Sequence, residues 1–280
     1  MMPARHGLRV LVLTLLIGCR CVQAAGHADR DYLVFGFLPI VSPERLVRRF
    51  APLTEYMSQQ LGIEVRMETA PDFAEFLRRT HHRKRYDILF TAPHFYYLAR
   101  RRAGYRALVR VGLPGMQAVI VVPRQSTVRS VRDLRGKRLA TVDPLALATA
   151  LVRACLVREG LDPDHDLTLV STPSHNASLL SAHQGRTDAA SLMLPLYRRA
   201  APDVLAGTRI VAETDASRHM PISVAPWVDA ELAGRIRAML LKLRDDEQGR
   251  QLLRQLDWPG FVLAGPRDYD DLEWAAPRLD

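Results

Sequence analysis

Asp87-Ile88-Leu89-Phe90-Thr91-Ala92-Pro93-His94-Phe95-Tyr96 is the stretch from which the architecture is read. An apolar, β-prone run passes directly into a proline suited to the first turn of a helix. A buried strand therefore feeds a helix through a very short turn. Junctions of this kind belong to βα units, whose sheets carry helices on both faces.

The same alternation continues towards the N-terminus. Tyr32 to Phe37 reads as a strand, and Ser42-Pro43 supplies an N-cap followed by an N1 proline. Leu46, Val47, Phe50, Leu53, Tyr56 and Met57 then recur at helical spacing, and Gly62 stops the helix. Ile63 to Met67 is a second strand, and Phe73, Phe76 and Leu77 mark a short helix. The basic run Arg78 to Arg85, with His81 and His82, reads as a solvated loop.

Beyond Tyr96, Ala107 to Val111 is a further strand, and Ala118 to Val122 is a strongly apolar one. A second βα series follows: strand Arg138 to Val142, helix Leu145 to Arg158, strand Leu167 to Val170, helix His175 to His183, and strands Asp188 to Met193 and Thr208 to Ala212. Pro221 to Ala225 then reads as a return crossing, before two helices at Asp229 to Leu243 and Glu247 to Leu256. The expectation is an α/β protein of two lobes, each a mainly parallel sheet flanked by helices. Residues 31–122 with 222–280 form the first lobe and 123–221 the second. Ligands of open α/β sheets sit outside the carboxyl ends of the strands, so those ends should converge on the cleft.

The 280 residues are 48% hydrophobic, ample for two medium cores. The formal net charge of +9 allows an anionic partner. Nucleic acid is set aside, because the basic residues scatter over predicted helix faces without a recognition motif. No G-x-S-x-G, P-loop, G-x-G-x-x-G or H-E-x-x-H occurs, and the nine histidines do not stand at metal-ligand spacings. The expectation is therefore no enzyme, no cofactor and no metal.

Residues 1–24 read as an export signal: Arg5 and Arg9 precede the apolar run Val10 to Ile17, which is too short to span a bilayer. Two exits remain open. Val22-Gln23-Ala24 suits ordinary cleavage, whereas Leu16-Ile17-Gly18-Cys19 resembles a lipobox in which Cys19 carries a lipid anchor. That anchor would be the only membrane attachment. Cys155, on an apolar helical pattern, reads as a small core residue.

Three strand-to-helix junctions are candidate ligand contacts, because helix starts offer unpaired N–H groups. They are Phe37-Leu38-Pro39-Ile40 leading into Ser42-Pro43, Thr91 to Tyr96, and Asp143-Pro144-Leu145-Ala146-Leu147-Ala148-Thr149.

At these junctions the chain resembles the phosphate/phosphonate-type (PhnD-like) solute-binding proteins of ABC transporters. The resemblance runs from about Phe35 to Leu256 and rests on pieces in family order: Phe35 to Pro39, Pro52 to Met57 with Leu61-Gly62, Tyr86 to Leu89, Ala92 to Ala99, Ser130 to Lys137, Ala140 to Pro144, Ser174 to Ala177, and Gly185 to Ala189. It implies a type II periplasmic-binding-protein fold that closes on a small ligand, an anion in the family's pattern, and delivers it in the periplasm to an ABC permease. A sensory receptor signalling to a membrane partner is the second reading. Tyr96 matches the family's pocket tyrosine and His175 its pocket histidine. Pro39, Met116, Asp143, Leu147 and Thr149 complete the expected ligand contacts. The chain departs from the pattern where phosphonate binders carry Ser-Thr-Ser-Gly: Ala146-Leu147-Ala148-Thr149 stands there, and Met116 stands where tyrosine is frequent. The implied ligand is correspondingly less polar.

Overall fold

A computed structural model describes residues 30–277; the expected leader, with Cys19 and its two exits, lies outside the described residues. The chain begins with β1 (Tyr32–Phe37), α1 (Pro43–Leu61), β2 (Glu64–Glu68), α2 (Phe73–His81), β3 (Ile88–Phe90), α3 (Pro93–Ala103) and β4 (Arg106–Val111). It continues through β5 (Ala118–Pro123), β6 (Arg138–Thr141), α4 (Leu147–Arg158), β7 (Thr168–Ser171), α5 (His175–His183), β8 (Ala189–Met193), α6 (Leu194–Arg198), α7 (Pro202–Gly207) and β9 (Thr208–Glu213). It returns through β10 (Pro221–Val224), α8 (Ala230–Leu241), α9 (Glu247–Leu256) and β11 (Phe261–Leu263), and a 3-10 turn at Asp270–Ala275 follows.

The strands form two sheets, ordered β11-β4-β10-β3-β1-β2 and β7-β6-β8-β5-β9. In the first, β1 pairs parallel with β2 and β3, whereas β10 and β11 run antiparallel to their neighbours. In the second, β6 pairs parallel with β7 and β8, and β5 runs against β8 and β9. Both sheets are thus mixed, yet most strands of each share one direction: β1 to β4 in the first and β6 to β9 in the second. The strands that oppose the others are β10 and β11 in the first sheet and β5 in the second.

Strand β5 belongs to the second sheet, so the expected lobe boundary after residue 122 moves back to the crossing at 112–117. Its alternation explains why. Ala118, Ile120 and Val122 pack with Leu151, Val152 and Leu156 of α4, while Val119 and Val121 pack with Leu179 and Ala182 of α5 on the other face. A strand covered on both sides reads as one continuous apolar run, which does not say which sheet covers it. Cys155 is a buried free cysteine in the α4-side core.

Turn chemistry fixes the element ends. Gly62 closes α1 in the left-handed conformation at φ 67°. Asp72, Ser174, Asp229 and Asp246 cap α2, α5, α8 and α9 through side-chain oxygens. Ser42 holds the N-cap position of α1 without a side-chain cap bond. The Arg78 to Arg85 segment is only partly the solvated loop expected. Arg78 and Arg79 pair with Glu75, and Arg85 with Glu68, but His81 turns inward and is 7% exposed.

The two crossings lie side by side. Met116 and Ser217 form an antiparallel bridge with N···O distances of 2.7 and 2.9 Å. A Cβ at Gly115 would sit 2.8 Å from the Ser217 carbonyl oxygen, so glycine permits the close approach.

Candidate functional site

The carboxyl ends of β1, β3, β6, β7 and β8 meet between the sheets, as the topology requires. They enclose an inner cavity of about 110 Å³, and an outer mouth of about 490 Å³ shares part of its wall. Leu38, Ile40 and Phe73 wall the cavity from the first lobe, with Phe95 at the start of α3. Leu147 and Ala148 wall it from the start of α4, and Met116, Met193 and Met220 close it near the crossings. The polar side chains on its wall are His94 and His175. The mouth is more polar, with Asp72, Asp143, Ser171, Thr172, Ser174 and His175.

His94 is 1% exposed, and its Nε2 lies 2.9 Å from the Leu145 carbonyl oxygen of the opposite lobe. Its Nδ1 is buried and has no protein partner, and the same is true of His175 Nδ1. Burial pushes both imidazoles down to about 4, the Leu145 carbonyl working weakly the other way at His94, so both are neutral at pH 7. The cavity wall therefore carries two neutral imidazole rings beside the first turn of α4, whose N-cap is Ala146 and carries no side-chain cap.

Of the residues singled out from sequence, Met116, Leu147 and His175 line the inner cavity, and Pro39, Asp143 and again His175 line the mouth. Asp143 also holds its own loop, accepting from Leu145 N at 2.7 Å. Two expectations fail. Tyr96 is fully buried in the first lobe; its hydroxyl accepts from Ala107 N at 2.8 Å and donates to Pro266 O at 3.3 Å, and burial pushes its phenol up to about 12. Thr149 turns its hydroxyl back to Val142 O at 3.4 Å and lines a separate hollow with Arg153 and Asp164. Met193 and Met220 were not singled out, and His94 and Phe95 only as part of the Thr91 to Tyr96 junction. His94 alone carried a signal, its place directly after the N1 proline.

A further hollow of about 580 Å³ runs along the crossings, lined by Arg110, Arg158, Arg218 and His219 among others. Arg158 pairs with Asp215, and Arg218 lies 3.1 Å from Asp271. Those carboxylates offset most of its positive charge. It does not lie at the strand ends, so the inner cavity and its mouth are the candidate site.

Two α/β lobes with such a cavity between them make this a binding protein of type II architecture. The chain belongs to the family of phosphonate ABC-transporter periplasmic substrate-binding proteins, whose model matches residues 35–269. Solved structures carry the same fold. It is similar to a binding-protein component of an ABC phosphonate transporter, PA3383 from Pseudomonas aeruginosa (TM-score 0.74, 19% identity, 88% of this chain and 86% of that one). It is similar to XAC2383 from Xanthomonas citri bound to chloride ion (0.76, 21%, 88% and 97%). A third is PhnD1 from Prochlorococcus marinus in complex with methylphosphonate (0.77, 16%, 88% and 97%).

Proposed function

We propose that this protein is the periplasmic receptor of an ABC importer, and that it closes on a small, largely apolar ligand rather than on phosphate or a phosphonate. The observation that carries this is the wall of the inner cavity. It bears no hydroxyl and no charged side chain, and Ala146-Leu147-Ala148 stands at the helix start where phosphonate binders in the family's pattern place hydroxyls. Each hydrogen bond to a charged group is worth about 1.5–3 kcal/mol, so loss of several lowers oxyanion affinity by orders of magnitude. The Met116–Ser217 crossing is the natural hinge, and anchoring through a lipid on Cys19 would keep the receptor near its permease. Ligand capture without chemistry fits the site: His94 and His175 have no nucleophile or carboxylate beside them on the inner wall.

The test is a thermal-shift and calorimetric screen of the full chain against phosphate, methylphosphonate and a panel of small neutral metabolites. A true ligand raises the melting temperature in step with occupancy. Tight methylphosphonate or phosphate binding would refute the proposal.

A further inference from the structure

We propose that the inner cavity selects a ligand whose polar group donates a hydrogen bond, an N–H or O–H on a compact apolar body, and that His94 Nδ1 accepts it. The inference rests on the reading of the cleft as the ligand site and specifies what enters it.

The argument starts at the other ring nitrogen. His94 Nε2 stands 2.9 Å from the Leu145 carbonyl oxygen. A carbonyl can only accept, so the hydrogen of that bond sits on Nε2. A neutral imidazole has one N–H, which leaves Nδ1 with a lone pair. That atom is buried and meets no donor among the described residues. His94 opens α3 in the first lobe and Leu145 precedes α4 in the second, so the bond spans the cleft. Closure of the lobes thus makes Nδ1 an acceptor, and a donor on the ligand would complete the ring's hydrogen bonding.

An anion meets the opposite situation. To hold one, Nδ1 must carry a proton while Nε2 still donates to Leu145, which makes the ring an imidazolium. Burial holds His94 near 4, so at pH 7 that proton must be taken up at a loss of about a thousandfold in affinity. No charged side chain on the cavity wall offsets this. His175 from α5 is the other titratable group there, and it too is held neutral. Asp72 and Asp143, in the mouth, carry the wrong sign to help an anion. The Phe95 ring, with its centroid 4.2 Å from that of His94, and the three methionines supply an apolar surround for the ligand body.

Calorimetry on the full chain with three probes tests this: isobutyramide, its isostere 3-methylbutan-2-one, which accepts but cannot donate, and methylphosphonate. The expected result is millimolar or tighter binding of the amide, about tenfold weaker binding of the ketone, and an amide affinity that changes less than twofold from pH 6 to 8. His94→Phe, with folding checked by circular dichroism, should remove the amide–ketone difference. Equal binding of amide and ketone by the unmodified protein overturns the donor rule. So does methylphosphonate binding that tightens tenfold per unit fall in pH, which would leave the receptor role intact. Binding of none of the three would overturn both the donor rule and the cleft as a small-ligand site.

Discussion

Asp87 and Trp227, 140 residues apart in sequence, are joined by a 2.7 Å hydrogen bond from the indole Nε1–H to carboxylate Oδ1. The other oxygen, Oδ2, accepts from Val34 N at 2.7 Å, and Asp87 is 4% exposed. One buried carboxylate thus holds β1, the entry to β3 and the chain returning from the second lobe. Those segments close the ladder around it, through Asp87 N to Val34 O and Ala225 N to Asp87 O, both 2.9 Å. Asp87→Ala removes the acceptor of the buried Val34 N–H and of the part-buried Trp227 indole N–H, and cuts the link between them. A loss of about 3–5 kcal/mol is expected in urea unfolding. A change below about 1 kcal/mol would show that the clamp does not hold the returning segment.

Gly36, in β1, lies against the face of a ring. A Cβ there would stand 2.4 Å from Tyr86 Cγ, and Tyr86 is fully buried and stacked on Phe76 with centroids 5.2 Å apart. The ring has no free direction in which to retreat. Gly36→Ala should destabilise by about 1–3 kcal/mol through overpacking. The midpoint of chemical unfolding reads this directly, and an unchanged midpoint would mean that β1 can shift away from the ring.

Beside His94, His175 and His219, which burial also pushes down to about 4, His81 should carry a share of the acid sensitivity. Both its ring nitrogens are buried without partners, and burial first, then Arg102 and His82, push it down to about 4. The folded value lies below the unfolded 6.5, so the unfolded chain binds the proton more readily. Stability is therefore full above about pH 6.5 and declines as pH falls from there towards 4. At pH 5 this one group should account for about 2 kcal/mol. Thermal unfolding of His81→Leu at pH 7 and pH 5 should show a pH-dependent loss smaller by that amount. Equal losses in both proteins would place the acid sensitivity elsewhere.

The strand and helix order was legible because apolar periodicity and capping residues are local properties. The α5 and α9 spans, His175–His183 and Glu247–Leu256, agree with the sequence reading residue for residue. Sheet membership was less so. The run Ala118 to Val122 is apolar on both faces, and only its partners β8 and β9 reveal which sheet it joins. The site was half legible for a related reason. Pro93 correctly marks the start of α3, but successive helical residues turn by about 100°, so His94 and Tyr96 point about 200° apart. The family motif drew attention to the tyrosine, whereas the helix presents the histidine to the cleft. Short β11 and the 3-10 turn at Asp270–Ala275 lack the length that periodicity needs.

Restoring hydroxyls at the start of α4 should convert the cavity towards oxyanion binding. Ala146→Ser alone places a capping hydroxyl at an N-cap that now has none, and should add about 1 kcal/mol of stability. Leu147→Thr and Ala148→Ser act differently. Those positions are 5% and 1% exposed, so their hydroxyls are buried without partners until a ligand arrives, at a loss of about 1–3 kcal/mol each. The triple variant should thus be less stable than the parent when empty. With methylphosphonate present it should regain that stability and bind the anion at least a hundredfold more tightly than the parent, since two or three charge-assisted bonds are gained. His94 should still limit the gain, so the affinity of the variant should rise as pH falls below 7. Calorimetry across that range separates the two contributions. A folded triple variant with no gain in methylphosphonate affinity would show that something other than the lost hydroxyls sets the chemistry of this cleft.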